Sequence, residues 1–262
     1  MTEKNTEQEL KSQNQKQETT QIQNKPKHKK LVSIIYTLAG IALFIGAEII
    51  LSLVLLIIYS ILGKDIDTLI DLLGDSATAA FLYISAVGII RLVLAYLLIK
   101  KMGGLKSVGF GRIPWKKMPW ALVGWGIYIL GTVATFAFLA TAFPDLNLDQ
   151  EQDIGFSTDL AGLELALVFV AIVVITPIVE ELFFRGIIFH SLKKSMNWGI
   201  AAVITSLFFG LVHFQLNVGI DTFILSLVLC WLVIETKSIW PSIFLHAIKN
   251  GIAFVITFII GS

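Results

Sequence analysis

Seven apolar runs, separated by short polar stretches, limit what this chain can become. They cover roughly residues 31–62, 77–100, 118–143, 160–192, 199–214, 218–236 and 239–260. About 20 apolar residues suffice to cross a bilayer. Of the 262 residues, 56% are hydrophobic and 15% charged, whereas a soluble domain carries about 25% charged residues. So much apolar surface needs lipid. In lipid every backbone N–H and C=O must be satisfied within the segment itself, which favours helices. The expected fold is therefore all-α, a polytopic transmembrane helical bundle with about seven membrane-embedded helices. The first and fourth runs exceed one crossing, so each must tilt, kink or extend past the membrane. The fifth is short. Pro177 lies inside the fourth and is predicted to bend or split that helix.

The chain divides unevenly. Residues 1–30 are rich in Gln, Lys, Glu, Asn and Thr and cannot bury enough apolar surface to offset chain entropy, so a disordered tail is expected there. No cleavable signal peptide is expected, because the first apolar run is too long for one. The bundle occupies 31–262. "KPKHKK" directly precedes the first run, and "KKMGGLKSVGFGRIPWKKM" and "SLKKSMN" are basic. The loops "GKDIDTLIDLLGDS" and "PDLNLDQEQDIGFSTDL" are acidic. Alternating charge places the N-terminus in the cytoplasm. The single cysteine, Cys230, sits in an apolar run and reads as a small buried hydrophobe. There is no Gly-rich nucleotide loop, and no nucleic-acid partner is expected; the partner this composition implies is membrane lipid.

Ionisable side chains in hydrocarbon are costly, and those that persist line sites or water-filled cavities. Three short motifs carry them here. The first is Glu180-Glu181-x-x-x-Arg185. Glu181 and Arg185 are four apart, share a helical face and can pair, which leaves Glu180, about 100° around, to face something else. The second is Phe209-x-x-x-His213 and the third His246-x-x-x-Asn250. Phe209 reads as packing; Asn250 alone would serve as helix–helix glue. At about 1.5 Å per residue, Glu180 lies about 20 Å from Lys193 and His246 about 13 Å from Lys237, so the two can meet. On a straight helix His213 comes out deeper, about 28 Å from Lys194.

Amide hydrolysis needs an activated water, a proton shuttle and donors for the oxyanion. A carboxylate with a histidine can take the proton from water. A second histidine and an amide can donate to the developing negative charge. The alternative is a divalent metal, zinc first, held by Glu180, His213 and His246, two His and one Glu being a catalytic zinc set. No H-E-x-x-H pair is present.

"VEELFFRGIIF", "SLFFGLVHF" and "TKSIWPSIFLHAIKN", in that order on successive spans, resemble the CPBP family of CAAX-type prenyl proteases and bacteriocin-processing proteins, also called Abi. The family pattern E-E-x-x-x-R, F-x-x-x-H, H-x-x-x-N is met without substitution, with the similarity covering about 160–255. The resemblance implies an intramembrane endopeptidase. Glu180 and His213 would activate the water, and His246 and Asn250 would stabilise the oxyanion. Glu181 and Arg185 would hold the site in shape. Members of the family are often named metalloproteases, while a glutamate-dependent mechanism without a catalytic metal is the other reading; the sequence leaves both open. The Lys/Asn/Gln-rich tail looks bacterial, which implies the plasma membrane and a role in peptide or bacteriocin processing or self-immunity. Two rivals stand beside the enzyme: a non-catalytic scaffold or immunity protein of the same fold, and a proton-coupled transporter with a Glu/His relay.

Overall fold

The computed structural model describes residues 2–148 and 160–260, with side chains described from Lys30 onward. Every described element is helical. Helix α1 (Thr2–Ile61) is followed by α2 (Ile66–Asp75), α3 (Ala77–Lys101) and α4 (Trp120–Ala142). Then come α5 (Gly162–Leu192), α6 (Trp198–Leu211), α7 (Leu216–Thr236) and α8 (Trp240–Ile260). The disorder expected for residues 1–30 falls on the start of α1, where Met1 and the side chains before Lys30 lie outside the described residues.

Among the described residues, six segments are long and apolar enough to cross a membrane, and the polytopic helical bundle expected from the apolar runs is the fold. The first begins at Lys30 and the fourth spans all of α5, 31 residues. The fifth apolar run forms α6, only 14 residues long. One difference lies in the first acidic loop, where residues 66–75 form a helix. Its start is fixed by Asp65, whose carboxylate accepts from Thr68 N, and Ser76 plays the same part for α3 toward Ala79 N. Capping of this kind satisfies helix-end donors, and it outweighs the loop-like acidity of the stretch.

Pro177 neither splits nor ends α5. The helix stays continuous but widens into π turns at Val170–Ile175, immediately before the proline, and again at Leu182–Phe189. A proline ring clashes with the carbonyl four residues back and removes one N–H; a wider turn accommodates both.

α5 is the centre of the bundle. Phe183, Phe184, Ile187, Ile188 and Phe189 are buried against Phe44 of α1, Ile99 of α3, Phe209 of α6 and Val233 of α7. α1 approaches at Gly40, where a Cβ would stand 2.8 Å from Ile187 Cγ2. α4, α7 and α8 share a second cluster around Leu225, Leu229, Leu232 and Leu245. Ser242 Oγ donates to Leu229 O at 3.0 Å and ties α8 to α7.

α6 and α7 form a tight antiparallel hairpin whose connection carries Phe214 at φ 54°. Small residues let helix backbones approach closely in lipid. A Cβ on Gly210 would lie 2.6 Å from Gly219 O, a contact backbone cannot yield cheaply. Gly210→Val is expected to lower the thermal unfolding temperature of detergent-solubilised protein, with a cost of about 1–3 kcal/mol. Gly46→Ala, a position with nothing within 4 Å, is the control and should leave it unchanged or raise it. Equal melting of Gly210→Val and wild type would show that this crossing is not close-packed.

Candidate active site

The three motifs arrive from α5, from the end of α6 and from α8. The site they make is built around one carboxylate oxygen. Arg185 Nη1 donates to Glu181 Oε1 at 2.8 Å, and His246 Nδ1 meets the same Oε1 at 3.0 Å. Glu181 and Arg185 have no exposed surface and His246 has 4%. An ionised carboxylate only accepts, so the imidazole nitrogen facing it carries the proton. That fixes the ring: Nδ1–H toward Glu181, with Nε2 turned to Glu180 Oε2 at 3.6 Å. This second separation is too long for a direct hydrogen bond.

Glu180 and Glu181 are neighbours in sequence with different surroundings. Glu181 is closed in by Arg185 and His246. Glu180 lines a cavity of about 70 Å³ together with Thr176, Val179, Gly88, Tyr83, Glu48 and Arg91. A space of that size holds a few water molecules. One carboxylate is thus spent on structure while the other faces a space that water can occupy.

His213 lies just beyond the end of α6. Its Nδ1 stands 2.7 Å from Phe209 O, and a carbonyl only accepts, so Nδ1 carries the proton and Nε2 presents its lone pair. The ring lies within electrostatic range of Glu180, His246 and Lys249. The separation expected for a straight helix therefore does not keep His213 from Glu180 and His246.

Phe209 is a plate between these groups. The Arg185 guanidinium sits 4.6 Å from its ring centre. The rings of His213 and His246 meet it edge-on, with centres at 5.2 and 5.7 Å, and Phe184 does so at 4.8 Å. It is a fully buried side chain that sets the spacing of two imidazoles and a guanidinium. Cys230 is buried beside Arg185, as a small apolar residue would be.

Asn250 is one turn beyond His246, and its Nδ2 donates to Ile172 O at 3.0 Å. Ile172 belongs to the π turn before Pro177. The amide therefore joins α8 to the widened part of α5, using one of its two N–H groups.

Two further networks border the site. Arg91 Nη2 donates to Glu48 Oε2 at 2.7 Å, Arg91 Nε to Phe44 O at 3.0 Å, and Tyr83 OH to Glu48 Oε1 at 3.0 Å. Sequence inspection finds Glu48 and Arg91 as charges in apolar runs that can pair or snorkel, but not that their pair walls the cavity of Glu180; that depends on how α1 and α3 cross α5. On the other side Lys249 Nζ lies 3.4 Å from Asp221 Oδ2, and Tyr128 OH donates to Asp221 Oδ1 at 2.6 Å. An acid at the sixth residue of α7 gives no sequence signal of this pairing.

For a metal, the ligand set read from the sequence is Glu180, His213 and His246. Among the described residues no three His, Cys, Asp or Glu side chains are grouped to hold a metal ion. His246 turns its two nitrogens to the two glutamates and His213 turns Nδ1 to a carbonyl. As placed, the three do not form a zinc set.

The fold and this site define a multi-pass membrane protein whose polar core is a buried Glu–Arg–His cluster with a second glutamate at a small cavity. A family model described as type II CAAX prenyl endopeptidase Rce1-like matches residues 162–252, the segment that carries all three motifs. The protein named "Putative membrane peptidase YdiL" from Bacillus subtilis (strain 168) is 36% identical over 77 residues, 29% of this chain and 32% of that protein. The chain thus spans about a third of the length of that curated relative. No solved structure matches it. Over residues 162–252 the chain is thus similar to the CAAX-type endopeptidases that its three motifs resemble.

Removing one member of a buried ion pair strands the other, at a cost of about 3–5 kcal/mol. Arg185→Ala and Glu181→Ala are expected to reduce the yield of monodisperse protein and to lower its melting temperature strongly. Glu180→Gln, at the cavity, should do neither. Equal stability of all three variants would break the division between structural and available carboxylate.

Proposed function

We propose that this chain is an intramembrane endopeptidase that hydrolyses a peptide bond of a hydrophobic or membrane-associated peptide or protein. The observation that carries the reading is Glu180: a carboxylate at a cavity of water-holding size, 3.6 Å from His246 Nε2 and within electrostatic range of His213. The family match and the membrane peptidase relative support the reaction class.

In this reading a water at Glu180 attacks the carbonyl carbon. Glu180, with His213 Nε2 as its partner base, takes the water proton. The carbonyl π electrons move to oxygen, and the oxyanion is met by donors from His246 and from the second N–H of Asn250. Collapse breaks the C–N bond, and the proton held by the base passes to the leaving amine. His246 donates from Nε2 only when that nitrogen is protonated; the two glutamates on either side balance the charge of the resulting imidazolium against Arg185. Glu181 and Arg185 position the ring and touch no reacting atom. This reading gives water activation to the side chains, which the placement of Glu180, His213 and His246 supports.

The same reading puts the chain in a bacterial plasma membrane with its N-terminus in the cytoplasm, acting in peptide or bacteriocin processing or in self-immunity. The sign of the loops supports the orientation.

Purified protein incubated with a library of hydrophobic peptides, read by mass spectrometry, tests the activity. Glu180→Gln and His213→Ala are expected to reduce cleavage by at least 10²-fold, the usual share of a general base, with unchanged melting temperature. Cleavage unchanged in both variants would remove the catalytic roles given to Glu180 and His213, and absence of cleavage by wild type would leave the same-fold scaffold as the better account. A chelator is expected to leave wild-type cleavage intact; chelator-sensitive cleavage restored by zinc would replace the side-chain mechanism with a metal one.

A further inference from the structure

A second polar recess lies away from the candidate active site, where three spans end. The first membrane segment starts at Lys30, the second ends at Lys101 and the fourth ends at Leu192. Between these ends opens a cleft of about 660 Å³, lined among others by Ser33, Tyr36, Lys101, Ser191 and Lys194. That volume is typical of a small-molecule site.

Its chemistry is one-sided. Two ammonium groups come from two different elements, Lys101 from the end of α3 and Lys194 from just past α5, and no acidic side chain lines the cleft among the described residues. Ser191 is 1% exposed and its Oγ is buried without a hydrogen-bond partner. A buried hydroxyl with no partner is costly, and such atoms often mark a place where something else binds. The frame around it is fixed: Tyr36 OH donates to Lys101 O at 3.2 Å and joins α1 to the end of α3. More positive charge stands behind. Lys193 is held below its ordinary range by burial first and by Lys237 and Lys194 next, and burial does the same to Lys194. Leu31, Ile35 and Leu38 at the start of the first span are more than half exposed, as lipid-facing residues would be.

We propose that this cleft binds a phosphate-bearing anion at the membrane boundary, with Lys101 and Lys194 as its charge partners and Ser191 Oγ as a donor. The headgroup of an anionic phospholipid and free phosphate share this chemistry and would use the same three groups. The site is independent of the peptidase reading, because none of its residues touches Glu180, His213 or His246 through any described contact.

The full chain, purified and equilibrated with micelles containing phosphatidylglycerol or phosphatidylcholine, tests it, with bound lipid counted by native mass spectrometry. Wild type is expected to retain phosphatidylglycerol over phosphatidylcholine. Each lysine near a membrane surface contributes about 1 kcal/mol, so Lys101→Gln and Lys194→Gln should each lower affinity roughly fivefold. Lys116→Gln, an exposed lysine of the α3–α4 connection that does not line the cleft, should not. Ser191→Ala should weaken binding without lowering the melting temperature, and the Lys101→Arg/Lys194→Arg pair should keep it, which separates lost charge from lost fold. Displacement of the lipid by excess inorganic phosphate, or saturable binding of inorganic phosphate alone, assigns the site to free phosphate; lipid retained against phosphate assigns it to the headgroup. Equal retention of both lipids with no phosphate binding, or Lys101→Gln/Lys194→Gln indistinguishable from Lys116→Gln, overturns the proposal.

Discussion

A single oxygen, Glu181 Oε1, receives both the Arg185 guanidinium and His246 Nδ1 in the buried centre of the bundle. Each of the three groups would be expensive to bury alone. Together they fix one another. Arg185 balances the carboxylate, the carboxylate orients the imidazole, and the oriented imidazole turns Nε2 toward Glu180. Much of the site's geometry follows from that arrangement. It joins α5 to α8, and Phe209 brings α6 onto the same point through its ring.

The backbone is adapted to this cluster. α5 carries both glutamates and the arginine, and it is widened before and after them. π turns interrupt the regular ladder and are frequent at functional sites. Here the first accommodates Pro177 and includes Ile172, whose carbonyl accepts from Asn250. The proline, the widened turn and the third motif's asparagine thus belong to one local arrangement. The hairpin of α6 and α7, closed by Gly210 against Gly219, brings His213 back toward α5 just past the end of a helix too short to cross a bilayer comfortably.

Lipid also explains why the flanking networks are paired. Glu48 with Arg91 and Asp221 with Lys249 place one charge against another within membrane segments. The first pair walls the cavity of Glu180 and the second lies on the side of His213, so both sides of the candidate site are rigid and charged without adding a net charge of their own. Lys101, Lys193, Lys194 and Lys237 gather at one membrane boundary, where the proposed phosphate-binding cleft lies.

The sequence by itself determined the class of fold, because seven apolar runs in lipid leave the backbone few choices besides helices. It also determined the three motifs, because spacing of four on a helix puts two side chains on one face whatever surrounds them. Tertiary structure alone decided the rest. Residue spacing separates Glu180 from Glu181 by about 100°, but only the crossing of α1, α3 and α8 over α5 says which one meets a histidine and which one meets a cavity. It decided that Asn250 spends one donor on Ile172, that Asp65 and Ser76 turn an acidic loop into a helix flanked by caps, and that Pro177 widens its helix instead of breaking it. The reason is physical: local pattern fixes the face a side chain takes on its own helix, while its partner is set by crossing angles and close approaches between helices far apart in the chain.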